Sequence, residues 1–205
     1  PGPADREDSL THRACIDIGG TKIAVSIAPS GQDRPIARQT APTIKSGKQP
    51  VLAQQILQLL DLACLDAQVP PDTVTTAGVS SCGPFVADSQ GRIELAAPNI
   101  CGGLSPDGGG PDNDWTRIPL QAPLASRFAR LRIENDCIAA LEAERRWGAL
   151  RGLDHCAYVT WSTGIGMGLC VDGRALRGKN GNAGHGGHMI VSDDPDADRA
   201  PMCGC

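Results

Sequence analysis

A chain of 205 residues with 40% hydrophobic and 20% charged content carries enough apolar material for one or two cores, which excludes a disordered tract. A net charge of −4 at neutral pH supplies no basic field for a nucleic-acid backbone or an anionic membrane, so neither is an expected partner. No stretch reaches the roughly 20 consecutive apolar residues of a membrane helix, and the opening PGPADREDSL lacks the basic and apolar regions of a signal peptide, so a cytoplasmic protein is expected.

Along the chain, residues 14–18 and 22–27 are two short apolar runs joined by Gly19-Gly20-Thr21, the pattern of a hairpin with a tight turn. From Val51 to Asp66 the apolar residues Leu52, Ile56, Leu59, Leu60 and Ala63 recur at helical spacing until Pro70-Pro71 stops them. Residues 73–80 alternate like a strand, Cys82-Gly83-Pro84 turns the chain, and a hairpin is expected around Ser89-Gln90-Gly91. The run CGGLSPDGGGPDND from Cys101 to Asp114 cannot bury a core and reads as a loop or linker, so the boundary between residues 1–114 and 115–205 is placed after it. A helix is expected over about 120–130, a strand over 131–134, a second helix from about Asp136 to Trp147, a strand over 155–161, then a hairpin turning at Asp172-Gly173. Strands and helices alternating in this way make an α/β protein.

Nine cysteines are too many to ignore, but Cys15, Cys64, Cys137, Cys156 and Cys170 sit singly in apolar segments and read as buried hydrophobes, not as a disulfide framework. Cys203-Gly204-Cys205 differs and reads as half of a metal site. The chain opens on Pro and stops at this half-site, so both ends are expected to lie inside a longer reading frame.

Four strings carry chemistry. Asp17-Ile18-Gly19-Gly20-Thr21-Lys22 combines a carboxylate at a strand end, two glycines that let backbone N–H groups approach an anion, a hydroxyl and an ammonium. Those parts suit a phosphate and magnesium site, although an ordinary glycine hairpin has the same composition. A second loop, Ser162-Thr163-Gly164 within Thr160 to Gly168, again sets small hydroxyl residues and glycines between two apolar strands. Two such loops can hold a polyphosphate from opposite sides. Glu134-Asn135-Asp136 ends a strand and opens a helix, where Asn and Asp are ordinary N-caps. The chemical alternative is that Asp136 takes the proton of a sugar hydroxyl as that hydroxyl attacks a γ-phosphate, and an aspartate is ionised for this at neutral pH. Finally, His188 with Cys203 and Cys205 offers three zinc-type ligands, and a structural site needs a fourth from beyond this sequence.

Taken in order, the DIGGTK loop, Pro98-Asn99, the END string, the TGIG loop and the GxxGH-to-CxC element resemble the ROK family (repressor, open reading frame, kinase) across Asp17 to Cys205. The resemblance implies an actin-like ATPase (ribonuclease H-like) fold, two α/β domains closing on a cleft with the second incomplete here. It implies ATP and Mg²⁺ at the two loops (Asp17, Gly19, Gly20, Thr21, Lys22, Ser162, Thr163, Gly164) and a hexose, most simply glucose, as substrate. Asp136 carries over as general base, Asn135, Gly83 and Asn99 as sugar contacts, and His188 as both zinc ligand and sugar neighbour. Structural Zn²⁺ at His188, Cys203 and Cys205 would order the pocket, and a homodimer is the expected assembly. Three positions depart from the family pattern. His185 stands where hexose-phosphorylating members usually place Glu, and a neutral imidazole accepts one hydrogen bond where a carboxylate accepts two. Ser162 replaces a common Gly, and the run from Gly102 to Asp114 is longer than usual. The other members suggested by the resemblance are kinases for fructose, mannose or an N-acetylhexosamine, and sugar-sensing transcriptional regulators.

Overall fold

A computed structural model describes residues 11–48, 50–105, 110–162 and 164–189. The opening hairpin forms as its turn glycines predict: β1 (His12–Ile18) and β2 (Lys22–Pro29) pair antiparallel, with Ile18 opposite Ile23. A further strand, β3 (Ala37–Pro42), pairs with β2 and was not predicted, because its exposed positions leave no apolar alternation. The helix α1 (Val51–Ala67) closes with Gln68 in the left-handed region, and the N–H of Val69 reaches back to the Cys64 carbonyl before the two prolines.

The strand β4 (Thr76–Ser81) runs parallel to β1, and β8 (Arg130–Asn135) runs parallel to β4, giving a five-stranded sheet in the order β3-β2-β1-β4-β8. Its β8 strand follows the Gly/Asp-rich run, so that run lies between strands of one sheet. Side chains alternate across a strand, so Ala14, Ile16 and Ile18 enter the core with Leu52, Ile56, Leu60 and Ala63 of α1, and Cys15 points to the other face. Cys15 is therefore exposed and Cys156 half-buried, which corrects the reading of both as core residues; Cys64, Cys137 and Cys170 are buried.

Three short strands, β5 (Phe85–Ala87), β6 (Ile93–Leu95) and β7 (Ile118–Pro119), form a second, antiparallel sheet. The Gly/Asp-rich run between β6 and β7 is tied at its base. Asn113 Oδ1 accepts from the N–H groups of Gly102 and Trp115, and its Nδ2 donates to the carbonyls of Lys45 and Ile100. The predicted helix over 120–130 shrinks to α2 (Gln121–Ala125). Beyond it Phe128 turns into the core and Arg127 donates to the carbonyls of Val74 and Pro71, which draws the chain out of the helix toward β8.

The helix α3 (Asp136–Trp147) follows β8 without a break, and β9 (Cys156–Trp161), β10 (Ile165–Val171) and β11 (Arg174–Ala175) make a third, antiparallel sheet beneath it. Among the described residues no helix is long and apolar enough to cross a membrane.

Candidate functional site

Register decides where the motifs meet. Asp17 lies beside Ser80, and Ser80 beside Glu134, so β1, β4 and β8 end at one edge of the sheet. From that edge leave the Gly19-Gly20 turn, the Cys82-Gly83 turn and Asp136. The carboxyl ends of parallel strands are where open α/β sheets bind ligands.

At this edge a cavity of about 340 Å³ gathers Gly19, Gly20, Gly83, Asn99, Asn135 and Asp136 from the first two sheets, with Ser162, Gly164 and His185 opposite. These nine came from separate strings in the sequence. Asn99 lies so close on Gly20 that any Cβ there would overlap its carboxamide, so the glycine is required for the approach. The turns spend part of their N–H supply internally: Gly19 donates to the Lys22 carbonyl and Ser162 to the Gly164 carbonyl, both at 3.0 Å.

Asn135 caps α3, its Oδ1 accepting from the N–H groups of Cys137 and Ile138 at 3.0 and 3.4 Å. The ordinary N-cap is thus real, and it is compatible with the site, because the amide Nδ2 faces Gly83 at the cavity wall. Asp136 is the first helical residue, its Oδ1 accepting from Cys137 N–H at 2.9 Å. A carboxylate is stabilised at a helix N-terminus. Asp17 accepts from Ser80 Oγ at 3.2 Å and lines a second, wider cleft of about 1080 Å³ along the face of the sheet away from α1. Asp136, Cys137 and Thr160 line both spaces, so Asp136 stands at their junction, and the smaller space is the one that collects the motif residues.

Sequence reasoning missed Cys82 and Cys137 as cavity residues, although each adjoins a motif position. Burial, with the Asp136 carboxylate alongside, pushes each thiol up to about 12. At pH 8 a thiol of that kind is thiolate to only about one part in ten thousand. Iodoacetamide is therefore expected to label Cys82 and Cys137 slowly in the native protein and promptly after unfolding in urea, as read by peptide mass mapping.

Other predicted residues stand elsewhere. Thr21 and Lys22 are exposed and do not line either space. His188 is not a cavity residue; it occupies a short 3-10 turn, its ring centroid 6.1 Å from that of His185. Thr163, Cys203 and Cys205 lie outside the described residues, and among the described residues no group of three or more His, Cys, Asp or Glu is gathered for a metal.

The profile of the ROK family matches residues 13–205. The chain belongs to the ROK family. Its relatives include a glucokinase of Thermotoga maritima, 29% identical over 93% of this chain and 52% of that protein. An N-acetylmannosamine kinase of Vibrio cholerae is 30% identical over 93% of the chain and 56% of its own length. A xylose repressor of Bacillus subtilis is 27% identical over 67% and 31%. Among solved structures, a ROK glucokinase from Streptomyces griseus in complex with glucose and AMPPNP superposes with a TM-score of 0.66 at 28% identity, covering 90% of this chain and 51% of that one. A ROK hexokinase from Thermus thermophilus gives 0.64 at 31% identity, covering 95% and 56%. The fold is that of the actin-like ATPases, and this ROK chain spans about half the length of the relatives it matches.

Proposed function

We propose that this ROK chain is the sugar- and phosphate-binding part of an ATP-dependent hexose kinase, with glucose the leading substrate. The observation that supports it is the single cavity in which Asp136 shares walls with two glycine turns, Asn99, Asn135 and His185. On this reading Asp136 takes the proton of the attacking sugar hydroxyl, while Asn135 Nδ2, Asn99 and the His185 imidazole position the sugar. Asp17, a hard oxygen donor at the cleft edge, would hold Mg²⁺, which neutralises phosphate charge when bound. The boundary proposed after residue 114 falls between β4 and β8, which are paired strands of one sheet.

The test is a coupled phosphorylation assay on the full-length protein, offering Mg-ATP with a panel of hexoses and N-acetylhexosamines. Turnover of one sugar would fix class and substrate together. A second reading, a sugar-sensing regulator, is favoured by the xylose repressor among the relatives. It takes over if a sugar raises the melting temperature and no phosphoester forms.

Zinc belongs to the same proposal. An imidazole from His188 with the thiolates of Cys203 and Cys205 is a zinc donor set that needs one more ligand. Metal analysis of the full-length protein is expected to find about one zinc per chain. Finding none would leave His188 an ordinary loop residue. The proposed assembly is a cytoplasmic homodimer, which light scattering at micromolar concentration would test.

A further inference from the structure

The segment that carries His185 is tied to all three sheets. At its start Arg177 donates through Nε to Glu134 of β8 at 2.7 Å and through Nη2 to Glu142 of α3 at 3.3 Å. Near its end the Gly184 carbonyl accepts from Met167 N–H of β10 at 3.0 Å, and Gly184 sits at φ +95°, where a Cβ would run into the Met167 carbonyl. Between these, Asn182 reaches a strand of the second sheet. Its Oδ1 accepts from Phe85 N–H at 2.8 Å and its Nδ2 donates to the Phe85 carbonyl at 2.7 Å.

The chemistry of the pair explains why an amide stands there. Phe85 opens β5, an edge strand of its sheet. In an antiparallel ladder one residue's N–H and C=O point the same way and successive residues alternate, so every second residue of an edge strand, Phe85 here, presents both outward. A carboxamide carries a donor and an acceptor side by side and satisfies both at once. Gly181, at φ +76°, lets the turn pass over the Phe85 ring, and Gly83 lies between the two amides: a Cβ there would stand 3.4 Å from Asn135 Nδ2 and 3.5 Å from Asn182 Oδ1.

Resting on the kinase reading, we propose that Asn182 is a positioning residue for the sugar. Its carboxamide latches the 181–185 turn to β5 and so sets the separation between the Gly184-His185 wall and the Gly83-Asn135-Asp136 wall. The latch acts on the sugar side of the cavity and leaves the phosphate turns alone.

The test compares wild type with Asn182→Ala and Asn182→Asp in the full-length protein; the aspartate keeps the acceptor and sets an oxygen against the Phe85 carbonyl. Both variants are expected to raise the KM for hexose about tenfold, the scale of two lost hydrogen bonds in Asn182→Ala and of one lost bond plus an oxygen–oxygen repulsion in Asn182→Asp, with the KM for Mg-ATP and kcat changing less than about twofold. Amide hydrogen exchange should accelerate at residues 181–185 and at Phe85. Unchanged exchange there would overturn the latch, and accelerated exchange with an unchanged hexose KM would overturn its positioning role. If the wild-type protein turns over no sugar, the kinase reading has failed, and the exchange comparison still decides the latch.

Discussion

Replacing Asp136 by Asn is expected to lower kcat by about 10²–10⁴-fold, the usual contribution of a positioned general base, while hexose binding stays within a few fold. The substitution is nearly isosteric, and the helix does not depend on it. The cap of α3 is Asn135, whose Oδ1 accepts from Cys137 and Ile138, and the variant amide oxygen can still accept from Cys137 N–H as Asp136 Oδ1 does. What is removed is the negative charge at the junction of the cavity and the wider cleft. A second readout follows from the neighbours. The Asp136 carboxylate helps to hold the Cys82 and Cys137 thiols high, so in the variant both should fall and alkylate faster. Faster alkylation with full activity would keep the geometry and remove the base assignment; a coupled assay with calorimetric sugar binding separates the two.

What was legible in the sequence was local. The Gly19-Gly20 turn, the 3.6-residue spacing of α1 and the start of α3 at Asp136 each depend on residues within a few positions of one another, and each forms where expected. Edge strands were not legible in the same way. The β3 segment ARQTAP has no apolar stripe, and it is a strand because β2 offers it a ladder. Lys22 shows the limit for the site: DIGGTK gave the residue type, but not that as the first residue of β2 its side chain is exposed and lines neither space. Cavity partners were recoverable only as far as a motif pointed to them. Asn182 had no such pointer, because its partner Phe85 is 97 residues away and what it reads is backbone.

Gly168→Ala is the second substitution expected to have a large effect, and it acts through packing. Gly168 lies on β10 opposite Tyr158 of β9, directly under α3. A Cβ there would overlap the Cys137 carbonyl and stand 2.8 Å from Leu141 Cβ, so the helix cannot keep its present distance from the strand. The obstacle is backbone and a buried Leu, not the tip of a flexible chain. Overpacking of this kind costs about 1–3 kcal/mol, a large share of the stability of a small protein. Gly166, one residue pair along the same strand, has a Cβ position filled by the Cys137 thiol, so α3 is seated on two glycines at the turn that begins with Asp136. Relief by lifting the helix would therefore move the proposed base relative to the Ser162-Gly164 turn. We expect Gly168→Ala to lower the urea midpoint and, in the fraction that remains folded, to lower kcat more than it raises either KM. Gly78→Ala is the control, since Gly78 is also a strand glycine and its Cβ position meets nothing within 4 Å. If Gly168→Ala proved as stable and active as Gly78→Ala, the two glycines would not set the height of α3 above β10.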